Sequence, residues 1–229
     1  MKQQGKFILF DVSEFENWLK GLALTRKIKL VQNHHTCEPD YGTFDKNKDH
    51  FKLLASMEKS HLERGFFEIA QNLITFPDGL VAVCRSFETM PEGIRGSNLF
   101  GICIEHLGNF DVNKDDMRPA HCDTILKVNS LLCEKFKLVP STNTVVYHHW
   151  YNLTTGRRVP EGAPNTETCP GTNFFGGNTI EACAKNFIPL LQVNKQKFMN
   201  SRIDNLIRNS SLPLRFLSSS FQRKSGLNG

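Results

Sequence analysis

Two pairs of adjacent histidines, each at the end of a stretch rich in β-branched residues, restrict most strongly what this chain can fold into. The pairs are His34–His35 in "VQNHHT" and His148–His149 in "VVYHHW". Such stretches predict strands, and successive side chains of a strand point to opposite faces. Only one imidazole of each pair can therefore face a common centre, so the two strand ends supply at most two metal ligands. The other imidazole of each pair is expected to be packed or hydrogen-bonded.

A third metal ligand is available in the segment "ETCPG" at residues 167–171. Cys169 follows a loop of Gly, Pro, Thr and Asn and precedes a Pro-Gly turn, which can hold a thiolate in place. Three protein ligands leave zinc one position for water, as in catalytic zinc sites. A copper electron-transfer site would need a weak axial methionine close by, and the nearest downstream methionine is Met199. The pattern favours zinc over copper, and purely structural histidines remain the alternative interpretation.

Helical and strand patterns alternate along most of the chain and predict an α/β fold, with a mixed central β-sheet flanked by helices. We expect a first helix over 13–22 with Ser13 as its N-cap, and a hairpin around the turn Pro77–Gly79. The segment 37–49 is typical of a turn-rich loop. The remaining predicted elements are strands within 27–36, 101–110 and 144–150 and helices over 50–65, 119–136 and 179–191.

Composition limits the class of protein. Hydrophobic residues make up 39% of the chain and charged residues 22%, which is typical of a globular protein with a core, and no apolar run approaches the ~20 residues that span a bilayer. Seven cysteines, an odd number without a CxxC pair, indicate reduced thiols rather than a disulfide framework. The N-terminal segment lacks the pattern of a secretory signal peptide. We therefore expect synthesis in the cytoplasm, with no membrane and no nucleic-acid partner.

Positive charge is concentrated at the C-terminal end. The net charge is +5, and residues 191–229 hold seven lysines and arginines against the single acid Asp204. Helical and strand patterns weaken in the same region. We therefore expect a folded domain over 1–190 and a basic tail over 191–229, which would be a linker or the remnant of a second module.

Five segments of the chain resemble, in order, motifs of the zinc-dependent N-acetylmuramoyl-L-alanine amidases, a family that includes phage lysozyme-type amidases and the peptidoglycan recognition proteins. They are "NHHT", "RGFFEIAQNLITFPDG", "GICIEHLGNFD", "YHHW" and "TCPG", within residues 27–190. The resemblance is greatest to the endolysins of phages that infect Gram-positive bacteria. It implies a mixed sheet between helices and one zinc ion at the floor of a groove, with His34, His148 and Cys169 as the ligands. His35 and His149 would then be structural.

The resemblance also implies an activity, which is hydrolysis of the amide between N-acetylmuramic acid and L-alanine in peptidoglycan. Glu105 would be the catalytic carboxylate, and its apolar strand would raise its pKa toward a useful range. Asn98 matches an asparagine that lines the substrate groove in this family. Bacterial cell-wall peptidoglycan would be the partner, reached after the membrane is opened, and the basic tail would bind anionic wall polymers.

Two positions depart from the family pattern. Gln71 stands where many relatives have a tyrosine near the metal, and Glu167 stands where many have a lysine that stabilises the oxyanion. Either Arg157 or Arg158 would then supply the positive charge, or zinc would act alone. Two other functions stay open: a non-catalytic peptidoglycan-binding module of the same fold, and a Cys–His peptidase with Cys169 as its nucleophile. The first typically lacks a zinc ligand, and the second needs a helix start that the Pro-Gly after the cysteine disfavours.

Overall fold

The computed structural model describes residues 1–193, so the basic tail expected over 191–229 lies almost entirely outside the described residues. Seven strands form one mixed sheet. The strands are β1 (Lys2–Gln4), β2 (Phe7–Phe10), β3 (Leu30–His35), β4 (Leu73–Thr75), β5 (Val81–Val83), β6 (Gly101–His106) and β7 (Val145–Tyr147). The helices are α1 (Val12–Gly21), α2 (Tyr41–Asn47), α3 (His50–Glu63), α4 (Pro119–Lys135) and α5, which begins with Ile180–Ala182.

The sheet has an antiparallel half and a parallel half, in the order β1-β2-β5-β4-β6-β3-β7. The strands β6, β3 and β7 run parallel, so their carboxyl ends lie side by side at one edge. In this register His34 lies beside Glu105, and His35 lies beside His106. Because alternate residues face opposite sides of the sheet, His34 and Glu105 share one face.

Helices cover both faces of the sheet, which confirms the predicted α/β class. On one face, α4 is fixed to β3 by a hydrogen bond of 2.9 Å from Asn129 Nδ2 to Asn33 Oδ1. On the other face, Ser56 and Ser60 of α3 line a groove together with His34. The helices within residues 1–193 include none that is long and apolar enough to cross a membrane.

Two predictions in the N-terminal part of the chain are wrong, and one element was not predicted. The N-cap of α1 is Asp11 rather than Ser13, because its carboxylate accepts the N–H groups of Ser13 and Glu14, each at 2.9 Å. The hairpin of β1 and β2 was not expected. The predicted loop after β3 contains α2, in which Asp40 accepts a hydrogen bond of 2.8 Å from the N–H of Thr43. A capping carboxylate can begin a short helix even in a polar segment.

The strand before the second histidine pair is shorter than predicted. It ends at Tyr147, and His148–Trp150 form a 3-10 turn in which the N–H of Tyr151 donates to the His148 carbonyl at 3.0 Å. The indole of Trp150 donates to the carbonyl of Asn178 at 2.7 Å and holds the turn in the core. Strand alternation therefore does not decide which histidine of this pair faces the centre; the turn does.

The closing helix predicted over 179–191 is present but not regular. Thr179 caps α5, whose first residues lead into a π-helical turn over Cys183–Phe187 and then into helical backbone up to residue 193. The seven cysteines form no disulfide in the part of the chain that the structure describes. The expectation of thiols rather than disulfides therefore agrees with the packing.

A chain of buried hydrogen bonds links α2, α4 and the sheet. Tyr41 Oη lies 2.8 Å from His121 Nδ1, His121 Nε2 lies 2.7 Å from Thr75 Oγ1, and Thr75 Oγ1 lies 2.8 Å from His106 Nδ1. His106 Nε2 donates to Asn33 Oδ1 at 2.9 Å. Burial lowers the pKa of His121 to about 3 and that of His106 well below its usual value. Both rings are therefore neutral, and each nitrogen has one role: Tyr41 donates to His121, His121 to Thr75, and Thr75 to His106.

Candidate metal centre and groove

The structure brings together the three side chains proposed as metal ligands. One donor atom from each of His34, His148 and Cys169 lies within 4.8 Å of the others. The two imidazole rings have their centroids 4.7 Å apart. His34 stands at the end of β3, and His148 directly follows β7, so the parallel pairing of these strands places both rings at one edge of the sheet.

The loop that carries Cys169 is fixed by hydrogen bonds from several directions. Asp111 accepts the N–H of Thr172 at 2.9 Å and the hydroxyl of Thr168 at 3.0 Å. Gly171 has a φ of +119°, and a Cβ there would come within 2.4 Å of the Phe110 backbone, so the close approach requires glycine. These contacts fix the segments on both sides of Cys169, whose thiol lies close to the two imidazoles.

The neighbouring histidines hold the loops around the centre. His35 Nδ1 accepts the N–H of Phe110 at 3.2 Å. The N–H of His149 donates to the Cys169 carbonyl at 2.7 Å, and its Nδ1 donates to the Glu167 carbonyl at 2.5 Å. His149 therefore holds the segment that bears the third ligand, whereas the His35 ring holds the backbone at Phe110. Neither belongs to the donor cluster of His34, His148 and Cys169.

The chemistry of the cluster fits zinc. His34 Nε2 is buried and has no hydrogen-bond partner among the described residues. Burial, then the charge of His148, lowers the pKa of His34 well below its usual value, so the ring is neutral as a metal ligand must be. Burial also raises the pKa of the Cys169 thiol, the opposite of what an activated nucleophile needs. Two imidazoles with one thiol are a donor set that zinc prefers.

Glu105 lies next to this cluster, on the same face of the sheet as His34. Its Oε2 is buried without a partner in the described residues, and the side chain lines the groove. Burial, then the negative charge of Glu167, raises the pKa of Glu105 to about 8. The carboxyl is therefore mostly protonated at neutral pH, and Oε1 is the oxygen that remains open to the groove.

Glu167 contacts a ligand directly, because its carboxylate pairs with His148 Nδ1. Burial raises the pKa of Glu167, but the hydrogen bond from His148 and neighbouring positive charges outweigh it, and the net pKa lies below the usual value. Carboxylates that bond the second nitrogen of a ligating imidazole fix its orientation and raise its basicity. Glu161 makes a similar contact with the adjacent histidine: its Oε1 lies 3.1 Å from Nε2 of His149.

The arginines proposed to replace the missing lysine lie elsewhere. Arg158 stacks on Trp150 at 4.8 Å and donates to Asn143 Oδ1 at 3.1 Å. Neither Arg157 nor Arg158 lines the groove, whereas Arg64, which the sequence analysis did not single out, does. The only signal for it in the sequence is its place near the end of a predicted helix, as the first residue of the segment "RGFFEIAQNLITFPDG".

Two further positions from the sequence analysis have defined surroundings. Asn98 Oδ1 accepts the N–H of Gly93 at 3.1 Å and Nε2 of Gln32 at 3.3 Å, which leaves its Nδ2 for a ligand. Gln71 is fully buried, and both its amide oxygen and its amide nitrogen lack partners among the described residues.

Two adjoining grooves run past the centre. The larger encloses about 840 Å³ and is lined by all three candidate ligands and Glu105, and the smaller encloses about 540 Å³ and is lined by Asn98. His148 and Arg64 line both. A long substrate can therefore extend to both sides of the cluster.

The comparisons with known proteins agree with this fold. A family model described as N-acetylmuramoyl-L-alanine amidase matches residues 24–172. The amidase LysC from Clostridium intestinale is 18% identical, with a TM-score of 0.48 over 69% of this chain and 85% of that one. A point mutant of Drosophila PGRP-LB, in a complex with tracheal cytotoxin, is 18% identical, with a TM-score of 0.50 over 72% of this chain and 84% of that one. No curated protein sequence gives a significant match.

Proposed function

Because this chain belongs to the N-acetylmuramoyl-L-alanine amidase family, we propose that it is a zinc-dependent enzyme that hydrolyses the amide between N-acetylmuramic acid and L-alanine of the peptidoglycan stem peptide. The observation that carries the proposal is the cluster of His34, His148 and Cys169 beside a carboxyl group in an open groove. A binding module would need the groove but not this combination of donors and acid.

The three clustered side chains would hold one zinc ion and leave a position open toward the groove. When bound there, zinc supplies a Lewis acid that polarises a carbonyl and makes water a better nucleophile at neutral pH. Asp111 and His149 keep the segment of Cys169 in place, and Glu167 orients His148. The protein thus fixes the donor set before a ligand arrives.

Glu105 would move the protons of the reaction. In its ionised form it accepts a proton at Oε1 from the attacking water, and it then delivers that proton to the amine of the leaving L-alanine. A pKa of about 8 keeps the carboxyl protonated in the resting groove, which suits the second step. Ionisation of Glu105, which the first step needs, would be favoured by a positive charge held at the neighbouring cluster.

The substrate would lie along both grooves. Nδ2 of Asn98 makes no hydrogen bond among the described residues and would bond a sugar or peptide carbonyl in the smaller groove. We further propose that the protein acts as an endolysin or autolysin on the bacterial wall once the membrane is opened. The basic tail would hold it on anionic wall polymers.

One experiment tests the proposal by pairing metal content with product release. The zinc-loaded protein is incubated with purified Gram-positive cell walls, and new L-alanine amino groups are counted. We expect about one zinc per chain and steady release of these groups. Zinc without release would favour a non-catalytic peptidoglycan-binding module, and absence of zinc would refute the site.

Four single variants provide matched controls for the ligand assignment. His34→Ala and His148→Ala remove proposed ligands, and both should lose metal and activity. His35→Ala and His149→Ala remove the neighbouring rings and should retain bound zinc. If the second pair loses zinc and the first pair does not, the assignment of the faces is wrong.

A further inference from the structure

Arg64 occupies the junction of the two grooves. It follows α3 directly, its guanidinium lies over the ring of Phe66 at 5.2 Å, and both residues line both grooves. Stacking on an aromatic ring limits the positions that the side chain takes. The cation is therefore held at the place where a substrate passes from one groove to the other.

The guanidinium of Arg64 has no acceptor of its own. Among the described residues it makes no ion pair and no side-chain hydrogen bond, whereas Arg95 in the smaller groove donates to the Thr154 carbonyl at 2.9 Å. A guanidinium carries five donors in a planar fork that matches a carboxylate. An exposed fork fixed by stacking and left without an acceptor is suited to an anionic group on a ligand.

The charge of the larger groove restricts where such a group can lie. Arg64 is the one lysine or arginine among its lining residues from the described part of the chain, and the acids that line it are Glu38, Glu92, Glu105 and Glu167. Apart from Glu105, which is mostly protonated at neutral pH, these acids repel a carboxylate on a bound peptide. A peptide carboxylate is therefore stabilised beside the guanidinium of Arg64 and destabilised beside the acids.

We propose that Arg64 is a specificity-determining residue that binds a carboxylate of the stem peptide close to the cleaved bond. The inference rests on the proposed function for the identity of the substrate. In peptidoglycan the residue after L-alanine is a glutamate joined through its side-chain carboxyl. Its α-carboxylate is free in some walls and amidated in others. Since Arg64 and His148 line the same two grooves, a peptide held at the centre can also reach Arg64.

The test compares two synthetic N-acetylmuramoyl-L-alanyl peptides that differ only in a free or an amidated α-carboxyl group. Hydrolysis is measured with the zinc-loaded wild type, Arg64→Gln and the control Lys59→Gln. Lys59 lies on the same helix and outside both grooves, and it pairs with Glu63 at 3.8 Å. We expect Arg64→Gln to raise KM for the free-carboxylate peptide by about tenfold to a hundredfold. KM for the amide and both KM values of Lys59→Gln should stay near those of the wild type.

Two results would overturn the inference. One is an equal loss on both peptides, and the other is a loss in kcat alone, which would place the cation on the reacting oxygen. Calorimetric binding of the same peptides separates the inference from the proposed function. If neither peptide is cleaved but the carboxylate form binds more tightly in an Arg64-dependent way, the subsite stands and the amidase function fails. Equal binding of both peptides refutes the subsite whether or not cleavage occurs.

Discussion

The buried imidazole of His121 should make the stability of the fold depend on pH in a way that one substitution removes. The ring is fully buried between the hydroxyls of Tyr41 and Thr75, and burial lowers its pKa to about 3. The negative charge of Asp78 partly opposes this lowering of the pKa, and the positive charge of Arg118 adds to it. In the unfolded chain a histidine has a pKa of about 6.5. The folded protein is therefore stabilised above pH ~6.5, and that stability is lost as the pH falls toward 3.

The magnitude follows from the difference between these two pKa values. One bound proton changes the free energy of unfolding by about 1.4 kcal/mol per pH unit. Between pH 8 and pH 5 the histidine becomes charged in the unfolded chain but not in the folded protein. The free energy of unfolding therefore decreases by about 2 kcal/mol. In a domain of this size that corresponds to a decrease in Tm of roughly 4–8 °C.

The substitution His121→Gln isolates this contribution. Glutamine offers one acceptor for Tyr41 and one donor for Thr75, but it does not titrate. Urea unfolding is followed through the fluorescence of Trp18 and Trp150, with a chelator present, from pH 8 to pH 5. Other buried histidines, including His106, affect both proteins equally.

Over this range we expect the free energy of unfolding of the wild type to fall by about 2 kcal/mol more than that of the variant. This holds whatever the difference in stability between the two proteins at pH 8. Parallel pH profiles for the two proteins would refute the argument, because they would mean that His121 is protonated equally in the folded and unfolded states.

Three other predictions concern the candidate centre. Glu167→Gln should weaken zinc binding by about tenfold to a hundredfold, since it removes the carboxylate that orients His148; Glu161→Gln is the matched control, and equal affinities in a competition titration would count against the orienting role. Glu105→Gln should bind zinc normally and lose about a hundredfold or more in kcat, and a variant with full activity would remove Glu105 from the mechanism. Zinc binding near pH 7 should release about one proton from the Cys169 thiol, which calorimetry in two buffers of different ionisation enthalpy would detect; a heat independent of the buffer would contradict it.

Local signals in the sequence predicted the regular elements with strong patterns. The turn Pro77–Gly79 joins β4 and β5 as an antiparallel hairpin, and the helix expected over 119–136 is α4 (Pro119–Lys135). Elements without an apolar pattern were missed. The residues of β1 are all exposed, and α2 buries only Tyr41 and Phe44, so neither segment shows the periodicity by which strands and helices are recognised.

The candidate site shows a similar division. The motifs around His34, His148 and Cys169 predicted the family, which the match over residues 24–172 confirms. The three residues as ligands stay a prediction, although the fold brings them together. The contact of Glu167 with His148 and the place of Arg64 between two grooves arise from segments far apart in sequence. Such contacts depend on how the strands pair, and no local pattern encodes them.

The brevity of the two outermost strands has a consequence for the behaviour of concentrated protein. The sheet ends on one side with β1 and on the other with β7, and each is three residues long. Beyond β7 the backbone turns away at once into the 3-10 turn of His148. Short edge strands offer few unpaired backbone N–H and C=O groups with which a strand of another molecule could pair. The same turn that presents a candidate metal ligand therefore also protects the described domain against intermolecular strand pairing, the usual first step of β-aggregation.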